Sequence, residues 1–424
     1  MTDQTQQAEQ VRRSLKQRYR KERRFRAYGI LAIALALSAL AVLFVDIIGK
    51  GYTGLMKTTI TLEVTLDPDV MYLDDPTDPK QVRMADFVAP LIVAADKALP
   101  GATEEDQDAL RRLINPYAST ELREALKKNP QWMGTTRTMT FLAHSNVDVY
   151  VKHQGDTAYS IKLTEQQQAW VDDLVERGLV DTSFNDVFFT NGDSRDPAKA
   201  GILGAVVGSL LTMIITLVLS FPIGVAAAIY LEEFAPKNRV TDFIEVNINN
   251  LAAVPSIIFG LLGLAVFINL FGLPRSVPFV GGVVLTLMTL PTIIISSRAA
   301  IKSVPPSIRE AAQGVGASKM QVVLHHVLPL AMPGMMTGSI IGMAQALGET
   351  APLLLIGMVA FIVEPPTGFF DAATVLPVQV FLWSSSPELA FIERASAAIM
   401  VLLAFLMSMN GLAIWMRRRL ERRW

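Results

Sequence analysis

Apolar residues fall into six long blocks separated by polar stretches: Gly29–Ile48, Ala200–Tyr230, Leu251–Phe271, Phe279–Ala300, Leu330–Phe361 and Phe391–Trp415. Each block, as a helix rising about 1.5 Å per residue, is long enough for a hydrocarbon core of about 30 Å. The pattern predicts an all-α polytopic membrane protein with six transmembrane helices. A share of 51% hydrophobic residues in 424 agrees, being too apolar for a water-soluble chain of that length. The first block exceeds a signal-peptide core and no small-residue cleavage site follows it, so it is expected to remain as transmembrane helix 1.

Charge sets the expected orientation. Residues 1–28 carry nine Lys/Arg against three Asp/Glu, and residues 417–424 carry five Arg against Glu421. By the positive-inside rule both ends, a basic N-terminal arm and a basic tail, stay in the cytoplasm, which an even span count also requires. The arm reads as a topology signal resting near anionic headgroups of the lipid membrane. The stretch Glu232–Asn250, with four acids to two bases, is a local exception. Residues 50–198 then face outward, with 24 acids against 15 bases, a balance unsuited to collecting anions over long range. The chain has no cysteine, which excludes disulfides, thiolate ligands and a cysteine nucleophile.

Within 50–198, Ile60, Leu62, Val64 and Leu66 alternate with polar residues, as do Val147, Val149, Val151 and Tyr159, Ile161, Leu163. Alternation predicts half-buried strands, and helices are expected at 104–114, 119–128 and 165–177. The last has Thr164 and Gln167 at capping-box spacing and Gly178 as its stop. The segment reads as an α+β extracytoplasmic domain inserted between helices 1 and 2. His144 and His153 read as exposed strand residues; with no third ligand in view, no metal site is expected.

The stretch 307–329, SIREAAQGVGASKMQVVLHHVLP, is a polar insert between two spans. Ser307 and Glu310 have capping-box spacing, Pro305 and Pro306 bar the preceding span from running on, and Gly314 and Gly316 end the short helix before a second begins within Ala317–His325. This predicts a compact knob whose Ala311-Ala312 face suits a groove on another protein. The spacing of Glu310-Ala311-Ala312, Gly316 and Leu328-Pro329 resembles the EAA loop of ABC-importer permeases, the segment (here 303–329) through which an ATPase drives the membrane helices. His326 stands where that family usually has an aliphatic residue.

Gly334, Gly338 and Gly342, like Gly204 and Gly208, recur every four residues and suit close helix contact in lipid. Glu349 lies in the run Met343–Gly357, where a carboxylate is costly unless paired, hydrated or protonated. Read as one helix, the run puts Gln345 one turn before Glu349 on the same face, and Pro352 loosens the backbone beyond. Glu349 is either a pathway or gate residue or a structural anchor. The motif GETAPLL, Gly348–Leu354 with Thr350 inside it, together with the EAA-like loop resembles the PstA-type permeases of phosphate-specific ABC importers over residues 200–416.

That resemblance implies a type I ABC-importer permease core with five transmembrane helices, no catalytic residue and no cofactor of its own. ATP and Mg would bind in two PstB-type ATPase subunits; a PstC-type second permease and a PstS-type periplasmic phosphate-binding protein complete the machine in the bacterial inner membrane. Coupling then falls to Ser307, Glu310, Ala311, Ala312 and Gly316, and the pathway or gate to Gln345, Glu349, Thr350, Pro352 and Arg298. Related phosphate permeases commonly carry a basic residue where this chain has Gln345, leaving Arg298 and Arg275 as the nearest cations. No phosphate-cradling G-x-x-x-x-G-K-[ST] motif occurs, as befits a subunit that leaves ATP to others, and nothing suggests nucleic-acid binding. Two other classes stay open: a proton-coupled secondary transporter, which should show inverted repeats, and a membrane-anchored enzyme, for which 50–198 offers no catalytic pattern.

Overall fold

The computed structural model describes residues 2–99, 106–154 and 162–420. Residues 2–50 form most of one helix, Thr2–Gly54, whose apolar part is exposed along its length. Residues from Gly51 onward form a separate compact unit.

The first part of that unit is built on a three-stranded antiparallel sheet in the order β2-β1-β3, with β1 Met56–Thr65, β2 Thr136–Leu142 and β3 Val180–Phe184. The alternation read in the sequence is the inward face of β1: Ile60, Leu62 and Val64 are buried while Glu63 and Thr65 are exposed. Helix Ala118–Lys128 adds Ala118, Leu122 and Leu126, four residues apart and so on one face, to the same core. Helix Glu165–Glu176 starts with the anticipated Thr164–Gln167 capping box and is followed by Gly178 at φ +69°. The expected helix at 104–114 is shorter, Gln107–Arg111, and its first two residues lie outside the described residues. Tyr159 and Ile161 lie outside them as well; Leu163 is buried in a non-regular segment.

One strand expectation fails. Ser145–Lys152 is a helix, with Val147, Asp148, Val149 and Tyr150 all buried. His144 caps it, its Nδ1 accepting the Asn146 N–H at 3.2 Å, and His153 ends it, so neither histidine is an exposed strand residue. The helix is enclosed because it wedges between the sheet and the last membrane helix. Asp148 accepts the Thr58 N–H at 2.8 Å and Lys152 Nζ at 2.6 Å, while His153 Nε2 lies 2.6 Å from Glu393 Oε1. Beside Glu393, the buried Arg394 donates to the carbonyls of Gly54 (2.7 Å) and Pro197 (3.1 Å).

Among the described residues five helices are long and apolar enough to cross a membrane: Arg18–Gly54, Leu203–Phe234, Pro278–Lys302, Lys319–Gly348 and Leu389–Arg419; a sixth is reached if the bent pair described next is one span. The anticipated sixth, Leu251–Phe271, is not one straight span. Helix Arg239–Ala252 stops before Pro255, and Ser256–Leu270 continues at 104° to it. Proline disfavours a helical residue before it and supplies no N–H, so the turn falls there. The second limb is about 22 Å long at 1.5 Å per residue, short of a full hydrocarbon core.

The expected Leu330–Phe361 span also ends early, at Gly348, and is followed by the short helices Ala351–Leu355 and Leu376–Ser384. Helix Pro278–Lys302 is central, touching both Leu203–Ile229 and Leu328–Gly348. The glycine stripe makes the second contact possible: a Cβ on Gly338 would collide with Ser296, and one on Gly334 would come 2.7 Å from Ala300 Cβ. The stripe therefore packs inside this subunit.

Candidate functional site

The 303–329 loop is the knob that its sequence promised, built differently at its start. Its helix begins at Pro306 after Pro305 and makes no side-chain cap, so the predicted Ser307–Glu310 box does not form. Proline at the first helical position already removes one donor that a cap would satisfy, and Ser307, two residues past the cap position held by Pro305, lies too far inside to act as the cap. A capping box forms instead at the second helix, Lys319–Val322, where Ser318 N–H donates to Gln321 Oε1 at 2.9 Å and Gln321 N–H donates to Ser318 Oγ at 3.4 Å. Gly316, at φ +89°, makes the tight turn between the two helices. A residue with a Cβ is strained there by about 1–2 kcal/mol.

The two alanines part company. Ala312 is buried against Val304, Val322 and Val327, holding the knob to the membrane helices, while Glu310 and Ala311 face outward. Val315 and Met320 are exposed beside them, at 85% and 56%. The outer side of the loop thus carries Glu310 together with exposed apolar side chains. His326 is exposed, so its departure from an aliphatic residue buries no mismatch.

At the opposite end of the same helix, Glu349 is not inside a helix. Gly348 is the last helical residue; Glu349 is extended (φ −77°, ψ 123°) and Thr350 starts the next short helix, in which Pro352 occupies the first turn. Pro352 thus interrupts no hydrogen bond, and Gln345, which is exposed, does not share a helical face with Glu349. Pro352 instead lies against the broken third span, where a Cβ on Gly260 would come 2.6 Å from its Cα. Glu349 is half-buried and forms no ion pair or side-chain hydrogen bond among the described residues.

Arg298 stands elsewhere. Its guanidinium pairs with Glu245 at 2.6 Å and Glu232 at 3.4 Å, and Lys302 approaches Glu232 at 3.4 Å. It ties the end of the fourth span to the end of the second and to the middle of helix Arg239–Ala252, and is not grouped with Glu349. Sequence reading passed over the adjacent Glu232-Glu233 pair and Arg309, which complete this cluster. The signal was present: acids following a span, with basic residues at the end of another, are natural partners. A groove of about 240 Å³, lined by Leu217, Phe221, Met343, Leu406 and Met416 among others, runs between the second, fifth and last spans.

Residues 220–424 match the family described as binding-protein-dependent transport system inner membrane component, and residues 12–160 match a domain of unknown function, DUF3333. The chain is 30% identical over 243 residues to the probable ABC transporter permease protein YqgI of Bacillus subtilis, covering 54% of this chain and 82% of that protein. It is 30% identical over 213 residues to the phosphate transport system permease protein PstA of Mycobacterium leprae, covering 50% and 68%. Among solved structures it is similar to a chain of the inward-facing MetNI methionine ABC transporter, at 19% identity and a TM-score of 0.40 over 52% of this chain and 98% of that one. The chain belongs to the binding-protein-dependent transport system inner membrane components, the multi-pass permease subunits of ABC transporters, and within them to the PstA type.

Proposed function

We propose that this permease forms half of the translocation pathway of an ATP-driven oxyanion importer, with inorganic phosphate as the solute. The observation that carries the coupling role is the exposed patch of Glu310, Ala311, Val315 and Met320 on a knob anchored by Ala312. The preference for phosphate rests on the GETAPLL motif and on the PstA relative. In this reading both termini and the knob are cytoplasmic, and residues 50–198 face the periplasm of a bacterial inner membrane. A PstC-type permease sits across the apolar groove, two PstB-type ATPases carry ATP and Mg, and a PstS-type protein delivers the solute. Glu349, uncommitted within its own subunit, faces the pathway or its gate, with Thr350 and Pro352 shaping the break. Sulfate, molybdate or phosphonate is the alternative cargo.

The test is reconstitution of the four kinds of subunit in liposomes. ATP-dependent phosphate uptake that excess sulfate does not suppress supports the proposal; uptake of another oxyanion in preference reassigns the cargo. Proton-driven uptake by this chain alone would replace the importer with a secondary transporter. Single cysteines at Ser194 and Ser318 should react with an impermeant thiol reagent from opposite sides of the membrane, and labelling of both from outside overturns the orientation.

A further inference from the structure

Arg309 sits beside the outward-facing Glu310 and points the other way. Its Nη2 donates to Glu233 Oε1 at 2.8 Å and to the Ile301 carbonyl at 3.0 Å, its Nε reaches the same Glu233 oxygen at 3.1 Å, and its Nη1 donates to the Val304 carbonyl at 2.7 Å. The carbonyl of Ile301 belongs to the last turn of the fourth span, and Val304 follows it just beyond the helix. Carbonyls at a helix C-terminus lack intrahelical donors, and the helix dipole favours a cation there. Glu233 belongs to the π turn Tyr230–Phe234 that ends the second span. One guanidinium therefore ties the knob to the ends of two membrane helices.

The tie to the second span has no covalent equivalent. The chain leads from the knob directly into the fourth and fifth spans, whereas the second span is reached across space, through apolar contacts of the cluster around Ala312 and Ala228, through Lys319 Nζ 5.2 Å from the Phe234 ring centre, and through the Arg309–Glu233 ion pair. Small apolar contacts slide; a guanidinium fork held by a carboxylate and two carbonyls fixes direction as well as distance. The neighbouring Glu232 takes Arg298, which also holds Glu245 of helix Arg239–Ala252. Two adjacent acids at the end of one span thus receive two arginines, one from the fourth span and one from the knob.

We propose that Arg309, through Glu233, is the positioning residue that transmits movement of the knob to the second membrane span, so that ATP hydrolysis by a docked partner is converted into opening of the pathway. This rests on the reading of the knob as the ATPase receiver. Arg309 touches no solute or nucleotide in this scheme, and its loss should separate hydrolysis from transport while leaving the docking face intact.

The experiment uses the purified complete complex in liposomes and reads solute imported per ATP hydrolysed, alongside ATPase retained on purification. Arg309→Met and Glu233→Gln should each keep the ATPase at wild-type yield yet lower the import-to-hydrolysis ratio by about ten-fold, within the span of ordinary coupling between sites. Arg309→Lys, which keeps a cation beside Glu233 and the Ile301 and Val304 carbonyls but loses the fork, should fall between wild type and Arg309→Met. A wild-type ratio in both single variants overturns the proposal, as does loss of ATPase from both with an unchanged ratio in the complex that remains. A wild-type complex that imports nothing refutes the importer reading instead.

Discussion

Arg394 gives the sharpest test of how the 55–198 domain is held. It is 2% exposed, donates to Gly54 and Pro197 carbonyls, and lies 5.8 Å from the Phe188 ring centre. Arg394→Met keeps much of the stem volume but removes both donors and the charge. Each stranded carbonyl costs about 1–3 kcal/mol if it stays dry. Asp148 and Glu393 then face only Lys152 and, when protonated, His153, and removing one member of a buried ionic group costs about 3–5 kcal/mol. These figures overlap because they count the same desolvation, so the expected loss is about 3–5 kcal/mol in total. At about 1.4 kcal/mol per decade, the equilibrium between docked and undocked domain moves by two to nearly four decades. Proteolysis of the 186–199 segment in detergent, followed beside the thermal midpoint, reads that shift. Arg394→Lys should fall between, since the charge remains and the fork is lost. A Met variant within about 0.5 kcal/mol of wild type, the range of an ordinary surface change, would refute the reasoning.

Glu310→Lys reverses the charge on the docking face and Gly316→Trp forces a large residue into a positive-φ turn; both should insert normally and lose the co-purifying ATPase, and full retention in both contradicts the docking role. Gly338→Leu should lower the yield of folded protein by overpacking against Ser296, an effect of about 1–3 kcal/mol readable as a drop in thermal midpoint. Burial, assisted by Arg112 and opposed by Asp196 and Glu388, holds His144 below its ordinary 6.5. The unfolded chain therefore binds the proton first, so stability falls as pH drops below that value; the gap between wild type and His144→Gln should change between about pH 7 and 5, and parallel profiles contradict this. Glu349→Gln and Glu349→Leu should both cut phosphate uptake at unchanged complex yield, whereas normal uptake in both removes Glu349 from the mechanism.

The sequence was most readable where one physical demand acted alone. β1 alternates because one face is buried and the other wet, and Gly316 marks a turn that only glycine takes without strain. Val147, Val149 and Val151 misled because their helix is covered by the sheet on one side and by Glu393 and its neighbours on the other, which erases the wet face that reveals a helical period. Glu349 was read inside a span because the run around it is apolar throughout; the break at Gly348 depends on the third span folding back at Pro255, which local pattern does not encode. The capping box slipped because the helix starts at Pro306, which puts the cap position at Pro305, two residues before Ser307. The ionic cluster stayed hidden for a related reason: Glu233 and Arg309 are 76 positions apart, and only the assembled helices bring them together.

The joint at Glu393 and Arg394 also sets the order of events during synthesis. His153 waits 240 residues for Glu393, and the Gly54 carbonyl waits 340 for Arg394. At about 5–20 residues per second, that second interval lasts roughly 20–70 s. The β-sheet domain must hold its shape through that time on its own core, with Asp148 and Lys152 satisfied only by each other and the local backbone. Its seat is on helix Leu389–Arg419, made after the four other long apolar helices described above, so a nascent chain stalled anywhere before residue 393 carries the β-sheet domain without these contacts.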